Sequence, residues 1–154
     1  MYPKMMAILT AALLLAGLGT ALLAESGPFD KFLTIDDVQK ITGLKGVKQI
    51  QKGSDPEADL KFTRQDGVVI LSATFLPTSA YAGAKSSATG FKSLIPGVGE
   101  EAFVGPASGP PLYILVFRKG AYTVMLNTEL EGQKSTRLAI DQVVAIAKII
   151  ASRM

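Results

Sequence analysis

The chain of 154 residues contains no cysteine and no histidine. Without cysteine there is no disulfide framework, so a domain working outside the cytoplasm must draw its stability from its core. Acylation of a lipoprotein cysteine is excluded as well. Without histidine, the Ser-His-Asp and Cys-His nucleophilic arrangements are absent in their usual forms. Zinc, haem and iron–sulfur sites that depend on those ligands go with them. Carboxylate and lysine chemistry is what is left. No run of three basic residues occurs, and the clustered basic stripe that a nucleic-acid surface requires is missing. There is no internal repeat or low-complexity tract.

Charge is also scarce at one end. Lys4 is the only charged residue before Glu25, and Met5–Ala24 is otherwise apolar or small. A positive residue, an apolar run and a small terminal residue are the layout of a secretory signal peptide, with cleavage expected after Ala24. Leu22 departs from the small residue favoured two places earlier. The run is 20 residues long. About 20 residues at 1.5 Å rise can cross a hydrocarbon core of roughly 30 Å, so an uncleaved membrane anchor over residues 5–24 is the alternative. Gly17 and Gly19 interrupt the run and favour cleavage. Both readings export the body of the protein, to the periplasm or beyond the cell. From Glu25 onward there are 15 basic and 13 acidic residues, a net charge of +2. About 130 residues can bury a core of their own. Residues 25–32 read as a linker with Gly27 and Pro28 as breakers, and 33–154 as a single domain.

The body starts with a helix. Thr34 can cap it, Asp36 and Asp37 sit where the helix dipole favours anions, Ile35, Val38 and Ile41 form its stripe, and Gly43 stops it. Val47–Lys52, Asp59–Arg64 and Val68–Phe75 read as strands, the last nearly apolar on both faces and so expected to be central and covered on both sides. Asp66-Gly67 turns the chain between the second and third. Thr78–Leu94 has loose helical spacing through Tyr81, Ala84, Ala88 and Phe91, weakened by Gly83 and Gly90. Glu101–Val104 reads as a short strand. Tyr113–Arg118 and Ala121–Thr128 form a hairpin across Lys119-Gly120, with Tyr113, Leu115 and Phe117 on one face and Tyr122, Val124 and Leu126 on the matching face. Thr136–Arg153 reads as a closing helix that buries Leu138, Val143, Ile146, Ala147 and Ile150. The order α-β-β-β-α-β-β-β-α, joined by hairpins, predicts an α+β fold with an antiparallel sheet of about six strands and packed helices.

Gly97-Val98-Gly99-Glu100-Glu101-Ala102 matches G-x-G-x-x-A, a permitted form of the dinucleotide fingerprint. A phosphate loop must follow a strand and open a helix. Here Ser93–Pro96 comes before, and Phe103-Val104-Gly105-Pro106 after it cannot continue as a long helix. Glu100 and Glu101 would also set two carboxylates against the phosphates. The better reading is a turn at Pro96-Gly97, with Gly99 supplying positive φ before a strand at Glu101.

Asp55, Glu57 and Asp59 have the one-three-five spacing of a calcium loop, and Asp66 falls at position twelve. Leu60 stands where that loop needs glycine, so a hairpin turn is the better reading and no metal site is expected. Glu100 and Glu101, if extended, face opposite ways and cannot act on one bond, so no catalytic pair is expected. The best candidate for binding is the loop Gly105, Pro106, Ser108, Gly109, Pro110 and Pro111, since loops on a rigid sheet often carry function. A plain surface connection is the alternative.

Three stretches carry a resemblance: Pro96–Phe103, Tyr113–Gly120 and Asp141–Arg153, together with Leu33–Val38 and Gly43. They resemble small exported bacterial proteins, largely families of unknown function and many of them lipoproteins, that share G-x-G-[DE]-E-A-[YF], a hairpin ending in K-G and a closing A-K-x-[IV]-x-x-[RK] helix. The resemblance spans most of residues 33–153 and implies a PsbP-like architecture, an antiparallel sheet between helices. It transfers no catalytic residue, and the lipobox cysteine is absent here. The expectation is an exported, non-enzymatic domain that binds a protein partner or a small apolar ligand, or assists an envelope complex. No cofactor and no nucleic acid are expected, and membrane contact is expected only through the N-terminal segment. The alternatives are a membrane-tethered accessory domain and a carboxylate-based hydrolase or isomerase.

Overall fold

In the computed structural model, residues 27–50, 59–88, 93–106, 113–128 and 138–154 are described. The first helix, α1 (Ile35–Thr42), is fixed at both ends by its own sequence. The Asp37 amide donates to Thr34 Oγ1 at 3.3 Å, and the Thr34 amide donates to the Asp37 carboxylate at 2.9 Å. Two otherwise orphaned donors are thereby satisfied reciprocally. Gly43, at φ 72°, closes the helix by donating to the Gln39 carbonyl at 2.9 Å. Val38 is fully buried, with Ile35 and Ile41 packed beside it.

The remaining elements are β1 (Lys48–Ile50), β2 (Leu60–Thr63), β3 (Val69–Pro77), α2 (Ala80–Ser87), β4 (Ser93–Leu94), β5 (Glu101–Pro106), β6 (Tyr113–Lys119), β7 (Tyr122–Asn127) and α3 (Ile140–Arg153). The strands form one antiparallel sheet in the order β1-β2-β3-β7-β6-β5-β4. The α+β class and the order read from the sequence hold. The two-residue β4 adds a seventh strand at one edge, pairing Ser93 with Val104 and Leu94 with Phe103.

Strand alternation divides the side chains between the two faces. One face carries Leu60, Phe62, Leu71, Ala73, Phe75, Ala102, Val104, Leu115, Phe117, Val124 and Leu126, covered by α1 and α3 in the main core. The other carries a smaller cluster, Phe103 and Val116 beneath Tyr81 of α2, with Ile114 and Met125 packed against it. β3 lies third in the sheet, as its apolar composition implies. Leu71, Ala73 and Phe75 are buried, while Ser72, Thr74 and Leu76 on its second face are half-buried. Thr63 pairs with Val69 but Phe62 pairs with Leu71, so Ile70 is an extra residue in the ladder, and it too is fully buried.

Most strand ends fall within two residues of expectation, and three boundaries differ by more than that or in kind. The helix expected over Thr78–Leu94 spans only Ala80–Ser87. Ala88 leaves the helical region at ψ 103°, and within Ala80–Ser87 the small side chains bury only Tyr81, too little to hold a longer helix. The closing helix starts at Ile140 rather than Thr136. Ala139 has extended backbone and donates its N–H to Gln142 Oε1 at 2.9 Å, which sets the first turn there. Leu138 is buried ahead of the helix, and residues 136–137 lie outside the described ones.

The third concerns the segment read as linker. Its described part, residues 27–32, is docked on the domain. The Gly27 amide donates to Asp30 Oδ2 at 2.5 Å, and Asp30 Oδ1 accepts from Gln49 Nε2 at 2.6 Å. Phe29 stacks on Phe75 at 4.2 Å and 6°, and Phe32 and Leu33 are buried in the main core. Four aromatic residues from three distant parts of the sequence (Phe29 and Phe32, Phe75, and Tyr122) thus form one cluster. The signal or anchor segment, 1–24, lies outside the described residues. Among those described, no helix is long and apolar enough to cross a membrane.

Candidate functional site

The stretch from Ile95 to Gly105 is a turn leading into a strand. Gly97 and Gly99 have φ of 76° and 57°, and β5 begins at Glu101. No helix follows, so the geometry of a phosphate loop is absent. Gly99 has a packing reason: a β-carbon there would stand 2.6 Å from the Arg118 carbonyl oxygen and 3.0 Å from the Phe117 ring. That close approach lets the Glu100 amide donate to the Arg118 carbonyl at 2.9 Å. Val98 between the glycines is buried in the main core.

The turn brings together charges that sequence spacing holds apart. Glu100 and Glu101 were expected to face opposite ways. Glu100 lies in the bend before the strand, and both carboxylates reach one guanidinium. Arg118 Nη1 donates to Glu100 Oε2 at 2.9 Å, and Arg118 Nε stands 3.5 Å from Glu101 Oε2. The other oxygen of Glu100 accepts from the Gly120 amide at 2.9 Å, tying the turn to the β6–β7 hairpin. Glu101 also pairs with Lys85 of α2. The Lys85 ammonium, with Arg118 behind it, holds the Glu101 carboxyl below the usual carboxylate range.

Beneath these charges lies Tyr81. Its ring meets Phe103 edge-on at 5.7 Å and 66°. Arg118 Cζ and Lys85 Nζ stand 5.9 and 6.0 Å from the ring centroid. Its hydroxyl is buried without a hydrogen-bond partner among the described residues. Burial first, and then the charge of Glu101, push the phenol up to about 12. The charge of the nearby Glu101 carboxylate thus opposes ionisation of the phenol.

Tyr81, Lys85 and Arg118 were not singled out as site residues in the sequence. The one available signal for Arg118 was its alternation with Val116 and Ile114, which puts it on the second face of the sheet. Its partners depend on cross-strand register, Glu101 opposite Arg118 and Phe103 opposite Val116.

The other candidates separate. Gly105 and Pro106 of the proposed binding loop are the last residues of β5, paired with Ile114 and Tyr113, and Gly105 is buried. Ser108, Gly109, Pro110 and Pro111 lie outside the described residues. So do Asp55 and Glu57 of the calcium-like spacing. Asp59 and Asp66 stand at opposite ends of β2, a strand of four residues, roughly 13 Å at 3.3 Å each. The Asp59 carboxylate accepts from the Phe75 amide at 2.8 Å, while Asp66 accepts from Arg64 Nε at 3.1 Å and the Val68 amide at 3.2 Å. The two cannot share an ion. No group of metal-ligating side chains occurs among the described residues.

The fold and its charge cluster define an α+β domain with a seven-stranded antiparallel sheet and two unequal layers. The chain matches no family model, no curated protein and no solved structure at a significant level.

Proposed function

We propose that this is an exported domain that acts by binding rather than by catalysis, its partner being a protein or a small apolar ligand in the cell envelope. The observation that carries this reading is the state of the carboxylates at Arg118. Among the described residues, Glu100 and Glu101 converge on one arginine, and each is committed to a fixed cation or amide. A general acid near neutrality needs a carboxyl group raised toward 6–7. Glu101 is moved the other way. A chain without histidine or cysteine has few other groups for proton transfer or nucleophilic attack. The signal-like N-terminal segment and the resemblance to small exported proteins support the location, in the periplasm or beyond the cell. The β5–β6 connection, from Gly105 to Pro111, is the proposed binding element, because it extends from a paired strand end.

The test is export of the full chain followed by gel filtration and mass spectrometry of whatever remains bound in stoichiometric amount. Weakened retention after Ser108→Asp supports the loop as the binding element. Turnover of ester, peptide or glycoside substrates that disappears in Glu100→Gln or Glu101→Gln would replace this reading with the carboxylate hydrolase.

A second reading, tethering at the membrane, is favoured by one observation. The 20 residues Met5–Ala24 carry no charge and are long enough to cross a hydrocarbon core of roughly 30 Å.

A further inference from the structure

We propose that the last turn of α2 is a flap over an apolar strip of the sheet, and that a small neutral molecule with one hydrogen-bonding oxygen binds between them. This rests on the binding reading above. It gives the apolar ligand of that reading a place and a chemistry.

The strip follows from register. On the second face of the sheet, Leu94 stands beside Phe103, Phe103 beside Val116, and Val116 beside Met125. Four strands at about 4.8 Å spacing make this row roughly 14 Å long. Phe103 and Val116 are buried, Met125 is half-buried, and Leu94 at the sheet edge is 68% exposed. Ile114, one row along, is half-buried too. It pairs with Gly105, next to the point where the β5–β6 connection leaves the sheet, so the strip borders the proposed binding loop.

The cover over this strip is thin. Among the described residues it consists of Tyr81, Ala84 and Ala88. Alanine methyls bury little apolar area. Ser79 makes no side-chain cap bond, and Gly83 sits within the helix with open space where a β-carbon would be. Glycine there weakens the helix relative to alanine. The turn that follows, Ala84–Ser87, is pinned by Lys85 on Glu101, and both side chains are partly exposed, so the pair has little weight. Few buried contacts, no cap and a glycine place this turn at the low end of local stability. The main core, by contrast, lies under α1 with both ends capped and under α3 with five buried side chains.

The neighbouring groups select the ligand. Tyr81 is 5% exposed, and its hydroxyl lacks a hydrogen-bond partner among the described residues. A ligand oxygen that accepts from it removes the cost of that unpaired donor. The charges at this end of the strip balance, Lys85 and Arg118 against Glu100 and Glu101. A charged ligand would have to break one of these pairs or lie buried without a counterion, so a neutral one is favoured. Opening of the turn precedes entry, and the apparent affinity scales with the open fraction.

Methionine methyls report on the two faces separately. Of the five methionines, Met125 lies in the strip and Met154 packs on the main core. The full chain, exported and isotope-labelled at the methionine methyls, is titrated by nuclear magnetic resonance with decanol, and with decanoate as its charged counterpart. Expected is a saturable shift of Met125 while Met154 stays still, with decanoate at least about tenfold weaker. Gly83→Ala touches nothing in the strip and favours the closed turn, so decanol should bind about fivefold more weakly. Lys85→Gln releases the pin and should strengthen binding about two- to fivefold. Tyr81→Phe should weaken it about five- to tenfold while the melting temperature holds or rises. Movement of Met125 and Met154 together, or of neither, overturns the site. Gly83→Ala and Lys85→Gln both without effect overturn the flap. Decanoate binding as tightly as decanol overturns the neutral chemistry. A protein partner retained in gel filtration beside an unmoved Met125 removes this ligand and leaves the binding reading standing. Substrate turnover that is lost in Glu101→Gln removes the binding reading itself.

Discussion

Asp37 and Arg153 lie 116 positions apart and meet as a two-point ion pair, Nη1 and Nη2 of the guanidinium at 2.5 and 2.9 Å from the two carboxylate oxygens. The pair fastens the first turn of α1 to the last turn of α3, and Asp37 also completes the cap at Thr34. The Arg153 guanidinium, more than the cap, holds the Asp37 carboxyl down at about 2, against an ordinary value of 3.8. A carboxyl whose pKa is lowered on folding stabilises the native state above its unfolded value. That contribution fades as the pH falls from about 4 to about 2. The Arg153 side chain is 37% exposed, so solvent screening leaves about 1 kcal/mol. Asp37→Asn should lower the melting temperature at pH 7, and the two melting curves should converge by about pH 2. A gap that is as wide at pH 2 as at pH 7 would assign the loss to something other than the charge.

Gly99 and Gly97 both hold positive φ, yet their surroundings differ. A β-carbon at Gly97 would find only Lys148 Cε, at 3.9 Å, whereas one at Gly99 would strike the Arg118 backbone at 2.6 Å. Gly97→Ala should cost about 1–2 kcal/mol, the price of left-handed backbone alone. Gly99→Ala should cost at least about 1–3 kcal/mol more, because the turn must move off β6. Chemical denaturation of the two variants measures the difference. Equal losses would mean that the close approach of this turn to β6 has no energetic weight.

The Tyr81 hydroxyl is buried without a partner among the described residues. Leaving such a group unsatisfied costs about 1–3 kcal/mol. Tyr81→Phe should therefore be neutral or stabilising by about 1 kcal/mol, the reverse of what most core substitutions do. The raised phenol pKa gives a second signature. Its stabilising effect is complete below about 10, the ordinary value, and is lost as the pH rises toward about 12. Ultraviolet titration of the native protein should show one tyrosine ionising late, absent in Tyr81→Phe. A clear loss of stability in the variant would show that the hydroxyl is satisfied in solution.

Ile146 is fully buried on α3, within the main core beside Val143, Ala147 and Ile150. Truncation to alanine should cost about 2–5 kcal/mol, the lost transfer energy plus the cavity left behind. Against a total of roughly 5–15 kcal/mol, the melting temperature should fall visibly. Circular dichroism melting measures this. An unchanged melt, with wild type floating on anionic liposomes, would make α3 a membrane surface instead of a core element.

The elements could be read from the chain because their signals are local. The alternation of Leu115 with Val116, the capping residues Thr34 and Gly43, and the stripe Val143–Ile150 each act over a few positions, and the strands and helices appear where those patterns lie. Boundaries were less legible where the local signal is weak, as in the small-residue helix at Ala80–Ser87. The docking of Phe29 and Phe32 was hidden because Gly27 and Pro28 resemble breakers, while the partners, Phe75 and Tyr122, come from distant strands. The same holds for the charges. Composition excluded histidine and cysteine chemistry outright. It could not place Glu100 and Glu101 on one arginine. That convergence depends on the bend held by Gly99 and on the β5–β6 register, and a one-residue slip would send Arg118 to the opposite face. Pairings between distant segments are set by which burial the whole sheet achieves, and only the assembled core selects them.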